Sequence, residues 1–187
     1  MMHKRLFFGC TLMGAIAAIA CAMGADSGLN VGESVTTFHP THVAGPLKGT
    51  EKCPPCTYGA QPQVLVWVNA DKGQNVRDLA KLLNDATEVK KDSNLRAFVI
   101  YLTDDLHAPA LREQLPKMAE RVGSSIHIAY MNRSNEAIAK YKINTSAEVK
   151  NTVIVYKNKK VTDKFVNLAA DEKGKAALTQ AVNKITG

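Results

Sequence analysis

The 187-residue sequence contains none of the motifs that mark common nucleotide-binding or hydrolytic enzymes. It has no Gly-x-Gly-x-x-Gly, no phosphate-binding loop and no serine-centred nucleophile elbow, so nothing in it supports dinucleotide binding or serine hydrolase chemistry. Aromatic residues make up only 6% of the chain, and the lysines are spread along it without aromatic residues between them. We therefore expect no nucleic-acid partner, and a soluble basic surface accounts for the charge.

The first 24 residues have the organisation of a secretory signal. A basic start, His-Lys-Arg, precedes an apolar run from Leu6 to Ala22, and small residues then suit cleavage by a signal peptidase. The run is short and glycine-interrupted for a membrane anchor, and no later run is long enough to cross a membrane. We expect export to the periplasm or extracellular space. Lipidation at Cys21 is a minor alternative, since Ala18 stands where a lipoprotein box has a larger aliphatic residue.

Removal of residues 1–24 leaves very few cysteines. Cys10 and Cys21 are lost with the signal, and Cys53 and Cys56 remain as one Cys-x-x-Cys pair. Two basic residues are lost as well, which leaves 22 lysines and arginines against 17 acidic residues, a net charge of +5. Disulfides persist in exported proteins, so the pair is the first candidate for chemistry.

Residues 25–62 form a leader in which glycine and proline recur too densely for long regular elements. We expect an irregular segment with one short strand around Ser34–Phe38. A loop of this length within a compact domain is usually functional or disordered.

Regular patterns begin at residue 63. Continuous apolar runs predict buried strands at Val64–Val68, Leu95–Leu102 and Ile126–Tyr130. Apolar residues at helical spacing predict a helix after each of the first two strands. Pro109 suits the first turn of the second helix, and Pro116 is expected to kink or divide it.

The last third of the core predicts a short helix, a hairpin and a final helix. The short helix is expected to be capped by Ser134, and the hairpin to turn at Asn158-Lys159. The final helix is expected from about Asp171 to Ile185. The whole order, β-α-β-α-β-α-β-β-α, predicts an α/β fold with parallel strands, right-handed crossovers and an antiparallel hairpin at one edge.

Several single residues receive structural rather than functional interpretations. Trp67 and Tyr101 belong to the core pattern. His107 stands at a predicted helix start, and His127 alternates with isoleucines on a strand, which predicts a side chain facing outward. Asp71 is interpreted as a turn or cap residue.

The order of elements over residues 63–187 resembles the thioredoxin-like superfamily, in particular its exported redoxin branch. Cys53-Pro54-Pro55-Cys56 is similar to the redox motif of that superfamily, and residues 139–143 with 152–156 look like the stretch that leads into its last hairpin. The resemblance implies a thioredoxin-like fold with a central mixed sheet flanked by helices. It also implies thiol–disulfide chemistry on protein thiols and disulfides.

Two features differ from the pattern of the superfamily. In thioredoxins the motif follows the first central strand, whereas here it precedes Val64–Val68, and the segment after that strand, 69–73, has no cysteine. Thioredoxins also carry a cis-proline before the penultimate strand, where this sequence reads Val-Lys-Asn-Thr at 149–152.

The leading hypothesis is that Cys53 and Cys56 form a redox-active pair. Two intervening residues let the sulfurs meet across one turn and cycle between dithiol and disulfide. Cys53 suits a helix N-cap with Pro54 at the first helical position, and Lys52 would favour a thiolate. We expect Cys53, interpreted as the more exposed cysteine, to attack a substrate disulfide and Cys56 to resolve the mixed disulfide. This function requires no cofactor.

Two other hypotheses remain open for the same segment. His39, His42, Cys53 and Cys56 offer two imidazoles and two thiolates, a ligand set that suits zinc or copper(I). Either histidine could instead act on a nearby thiol. Alternatively, the protein is a non-catalytic binding domain whose disulfide holds the leader in place.

Overall fold

A six-stranded mixed sheet organises the residues that the computed structural model describes, 25–71 and 73–187. The predicted signal at 1–24, with Cys10 and Cys21, lies outside them. The strands are β1 (Thr41–Ala44), β2 (Gln63–Val68), β3 (Arg96–Thr103), β4 (His127–Asn132), β5 (Asn151–Lys157) and β6 (Lys160–Val166). The helices are α1 (Pro54–Tyr58), α2 (Gln74–Val89), α3 (Pro109–Val122), α4 (Glu136–Lys140) and α5 (Glu172–Thr186).

The sheet has the order β1-β4-β3-β2-β5-β6. Strands β2, β3 and β4 are parallel, as the alternating strand and helix patterns predict. Strand β5 is antiparallel to both β2 and β6, and β1 is antiparallel to β4. The hairpin prediction is confirmed, because Asn158 and Lys159 both adopt the positive φ angles that a tight two-residue turn requires. Among the described residues, no helix is both apolar enough and long enough to cross a membrane.

The sheet buries both of its faces. In β2, Val64, Val66 and Val68 pack in the layer formed by α2, α3 and α5. Leu65 and Trp67 point to the opposite layer, which α4 and the leader cover. Four leader residues belong to this second layer: Leu29, Val35, Phe38 and Leu47. The leader is therefore part of the core and covers one face of the sheet.

The strand expected around Ser34–Phe38 is wrong. Only an isolated bridge from Ser34 to Lys160 forms there, and the leader contributes β1 to the opposite edge of the sheet instead. Phe38 lies in the second layer, with its ring centroid 5.0 Å from that of Trp67 and 5.2 Å from that of Tyr141. This packing carries the segment after Ser34 away from the sheet edge and across a face of the sheet, so the pairing with β6 does not continue as a strand.

Two helix details also differ from the sequence predictions. The division expected as one outcome at Pro116 does not occur, because α3 runs through that residue, and the other outcome, a kink, stays a prediction. The proline deprives only the carbonyl of residue 112 of a partner, and residues 112–114 are exposed, so water can replace that bond. Helix α4 is capped by Asn135 rather than Ser134, because the Asn135 side chain accepts a hydrogen bond from the N–H of Ala137.

Candidate redox site

Helix α1 presents the two cysteines. Cys53 is its N-cap residue in an extended conformation, and Pro54 and Pro55 occupy the first two helical positions. These positions have no intrahelical acceptor for an N–H, so the two prolines remove no intrahelical hydrogen bond there. Cys53 and Cys56 form a disulfide with a Cα–Cα distance of 5.2 Å, and the N–H of Cys56 donates to Cys53 Sγ over 3.2 Å. The predicted N-cap role of Cys53 is confirmed.

The two cysteines differ in their exposure to solvent. Cys53 is buried, with only 4% of the residue exposed, and Pro54 and Pro55 beside it are buried as well. Cys56 and the next residue, Thr57, lie on the exposed side of the helix. The expectation that Cys53 is the more exposed cysteine is therefore wrong. Because α1 has only five residues, the burial of Pro54 and Pro55 determines which side of the helix faces solvent.

The pair lies at the amino ends of the parallel strands. The N–H of Arg96, at the start of β3, donates to the Pro62 carbonyl just before β2. The N–H of Asn158, in the hairpin turn, donates to the carbonyl of Ala60. A motif placed after β2 would lie at the carboxyl end of that strand, about 20 Å away for six residues at roughly 3.3 Å each. The motif is thus displaced in space as well as in sequence.

A network of amide side chains occupies the carboxyl end instead. The side-chain NH2 of Asn69 donates to the carbonyls of Ser146 and Val149, both over 2.8 Å. Asn151 donates from its side chain to Asp71 and accepts the N–H of Leu168. These hydrogen bonds tie neighbouring segments together at this end of the sheet, and residues 69–73 contain no cysteine.

Aromatic and imidazole rings support the inner side of α1. The Tyr58 hydroxyl lies 3.2 Å from His127 Nε2, and the Arg96 guanidinium lies 5.1 Å from the centre of the Tyr58 ring. His127 stacks on Phe98 with ring centroids 4.3 Å apart. The His42 ring is 6.0 Å from that of His127. Together these contacts fix the orientation of α1 on the sheet.

His127 faces inward, so its predicted outward orientation is wrong. The residue is fully buried, because β4 lies between β1 and β3 and is covered on both faces. Burial, with smaller contributions from His42 and Arg96, lowers the pKa of His127 to about 3. Burial likewise lowers the pKa of His42, although its hydrogen bond to the Lys52 carbonyl opposes this shift. Burial raises the pKa of the Tyr58 phenol. At neutral pH both imidazoles are therefore uncharged.

Sequence reasoning missed the polar residues that begin the central strands. Gln63 and Arg96 are register partners at the starts of β2 and β3, and Gln63 also pairs with Tyr156 of β5. All three lie on the same face of the sheet as Leu65 and Trp67. Gln63 and Arg96 are polar first residues of two otherwise apolar strands. This pattern was the signal in the sequence that the amino end of the sheet differs from the rest of the core.

The two leader histidines bind backbone carbonyls of the segment just before Cys53. His39 donates from Nδ1 to the Glu51 carbonyl over 3.0 Å, and His42 donates from Nε2 to the Lys52 carbonyl over 2.9 Å. In the described residues, no group of three or more His, Cys, Asp and Glu side chains is arranged to hold a metal ion. With the sulfurs joined to each other, His42 ties β1, and His39 the segment just before β1, to the residues that precede α1. Zinc or copper(I) binding by the reduced protein stays a prediction.

Comparison with solved structures identifies the fold. A proposed thiol:disulfide interchange protein DsbE from Chlorobium tepidum aligns with a TM-score of 0.64 and 15% identity, over 85% of this chain and 99% of that one. The thioredoxin domain of a thiol-disulfide oxidoreductase from Bacteroides vulgatus aligns with a TM-score of 0.59 and 13% identity, over 83% and 99%. A yeast mitochondrial 1-Cys peroxiredoxin aligns at 0.61 and 12%, over 83% and 77%.

The chain therefore has a thioredoxin-like fold, as its order of elements predicts. Neither the protein-family models nor the curated proteins give a match to the sequence. The similarity thus defines the architecture, and the chemistry has to be argued from the site itself.

Proposed function

We propose that the protein is an exported thiol–disulfide oxidoreductase that uses Cys53 and Cys56. The observation that carries the proposal is a disulfide across one helical turn, with one of its sulfurs on a residue exposed to solvent. A disulfide is exchanged by thiolate attack in line with the bond, so an accessible sulfur is the first requirement. A protein thiol can reach this one without unfolding of the core.

The position of the disulfide argues against a purely structural role. Both cysteines lie in the leader, three residues apart, so their bond cannot attach the leader to residues 63–187. Closing so short a loop contributes about 2 kcal/mol in the chain-entropy model. The leader is already held by its buried apolar side chains and by Tyr58. A reactive pair can therefore open and close while the surrounding structure is retained.

Reduction of insulin disulfides tests the proposed activity. The wild-type protein with dithiothreitol should precipitate the insulin B chain faster than dithiothreitol alone, whereas a C53S/C56S variant should not. Both proteins also carry C10S and C21S, so "wild type" refers to Cys53 and Cys56 only, and no other cysteine can react. Equal rates for the two proteins would favour the binding-domain hypothesis and contradict the proposed activity.

We also propose that residues 1–24 direct export. The basic start, the apolar run and the small residues after it support this, and the disulfide between Cys53 and Cys56 suits an oxidising compartment. N-terminal sequencing of the protein from its producing cells provides the test. We expect the mature chain to begin near Ala25, and an unprocessed cytosolic chain would contradict the proposal.

A further inference from the structure

The disulfide has two chemically different sulfurs. Cys53 is 4% exposed and flanked by the buried Pro54 and Pro55, whereas Cys56 lies on the solvent side of α1. An incoming thiolate must approach along the S–S axis from beyond the sulfur that it attacks. Approach to Cys56 starts from solvent, while approach to Cys53 starts from the protein interior.

The hydrogen bonding also distinguishes the sulfurs as leaving groups. The N–H of Cys56 donates to Cys53 Sγ over 3.2 Å, and in the described part of the chain no donor contacts Cys56 Sγ. Attack at Cys56 transfers the electron pair to Cys53, where this N–H stabilises the new thiolate. Attack at Cys53 would place the charge on a sulfur without such a donor. A better-stabilised thiolate leaves faster, so both access and charge favour the same direction.

The inner contacts of α1 maintain this asymmetry. The Tyr58 hydroxyl is 3.2 Å from His127 Nε2, and the Arg96 guanidinium lies over the Tyr58 ring. For Cys53 to become the exposed sulfur, the helix would have to rotate and break both contacts while exposing its prolines. The arrangement of the two sulfurs is thus a property of the folded core.

We propose that Cys56 is the sulfur through which substrates enter and Cys53 is the resolving sulfur, the reverse of the order expected from the sequence. This inference rests on the proposed function. When the oxidised protein meets a substrate dithiol, a substrate thiolate forms a disulfide with Cys56 and Cys53 leaves as a thiolate. The second substrate thiolate then displaces Cys56, so the substrate becomes a disulfide and the pair a dithiol. Two electrons and two protons pass to the protein.

Single-cysteine variants test this order. In the full chain with C10S and C21S, a C53S variant retains Cys56 and a C56S variant retains Cys53. We expect C53S to accumulate at least tenfold more mixed disulfide with insulin than C56S does. Circular dichroism and thermal unfolding of each variant provide the control for folding.

A second measurement needs no change at Cys53 or Cys56. The oxidised wild-type pair is treated with limiting reduced glutathione, quenched with acid and alkylated, and tandem mass spectrometry locates the glutathione. We expect it on Cys56. Glutathione on Cys53, or a mixed disulfide with insulin in C56S rather than C53S, would overturn the inference while leaving the proposed function intact. No insulin turnover by the wild type and no mixed disulfide in either variant would overturn both.

Discussion

His127 is predicted to make the protein less stable in acid, and His127→Gln should remove that effect. In the folded protein the pKa of His127 is about 3, because the imidazole is buried beside His42, Tyr58 and Arg96. In the unfolded chain the value is about 6.5. Between these pH values the unfolded state binds the additional proton. The free energy of unfolding therefore falls as the pH is lowered through this range.

The size of the effect follows from the pKa difference. Each pH unit within this interval changes the free energy of unfolding by about 1.4 kcal/mol. Between pH 7 and pH 5, His127 should therefore lower the free energy of unfolding of the wild type by about 2 kcal/mol, since part of the interval lies above the unfolded pKa. His127→Gln costs some stability at pH 7, since its stacking on Phe98 is lost, but should lose about 2 kcal/mol less than the wild type over the same change. The His42 contribution remains in both proteins and cancels in the difference.

Urea unfolding of the oxidised proteins at pH 7 and pH 5 measures this difference. His107→Gln is the matched control, because it removes an exposed histidine outside the core. The control should follow the wild type at both pH values. If His127→Gln and the wild type lose the same free energy between pH 7 and pH 5, the burial argument for His127 is refuted.

Three further predictions concern stability and are checked by urea unfolding at pH 7. Gly45→Ala should cost at least about 2 kcal/mol more than Gly49→Ala: both glycines have positive φ, but a Cβ at Gly45 would strike a backbone oxygen, whereas one at Gly49 meets open space. Equal costs would contradict this close approach. Asp171→Ala should cost about 1 kcal/mol because its side chain caps α5, and an unchanged midpoint would show that the cap contributes nothing. Reduction of the Cys53–Cys56 disulfide should cost no more than about 2 kcal/mol, and a much larger loss would indicate a structural disulfide.

The sequence predicted the core of the fold well because the core depends on local patterns. The apolar run of β2 and the Asn158-Lys159 turn each have one favourable structure, and both form as expected. The leader was harder to predict. Phe38 is placed by long-range packing on Trp67, which no periodicity within residues 25–62 records.

The candidate site was predicted in composition but not in orientation. Cys53 and Pro54 occupy the expected cap and first helical positions, which depend only on local backbone preferences. Which cysteine faces solvent depends on how α1 lies on the sheet, and that is set by Tyr58 and His127. His127 itself was misjudged because alternation identifies an exposed face only when one face of the sheet is free.

The proposed activity and the proposed order of the two cysteines both depend on reversible exchange at Cys53–Cys56, and the redox potential of the pair tests it most directly. The full chain carrying C10S and C21S is equilibrated in glutathione and dithiothreitol buffers, alkylated and quantified by mass spectrometry. We predict a potential between about −270 and −120 mV, the range of exchange-active pairs. A pair that stays oxidised in buffers below about −300 mV would behave as a structural disulfide and contradict the account.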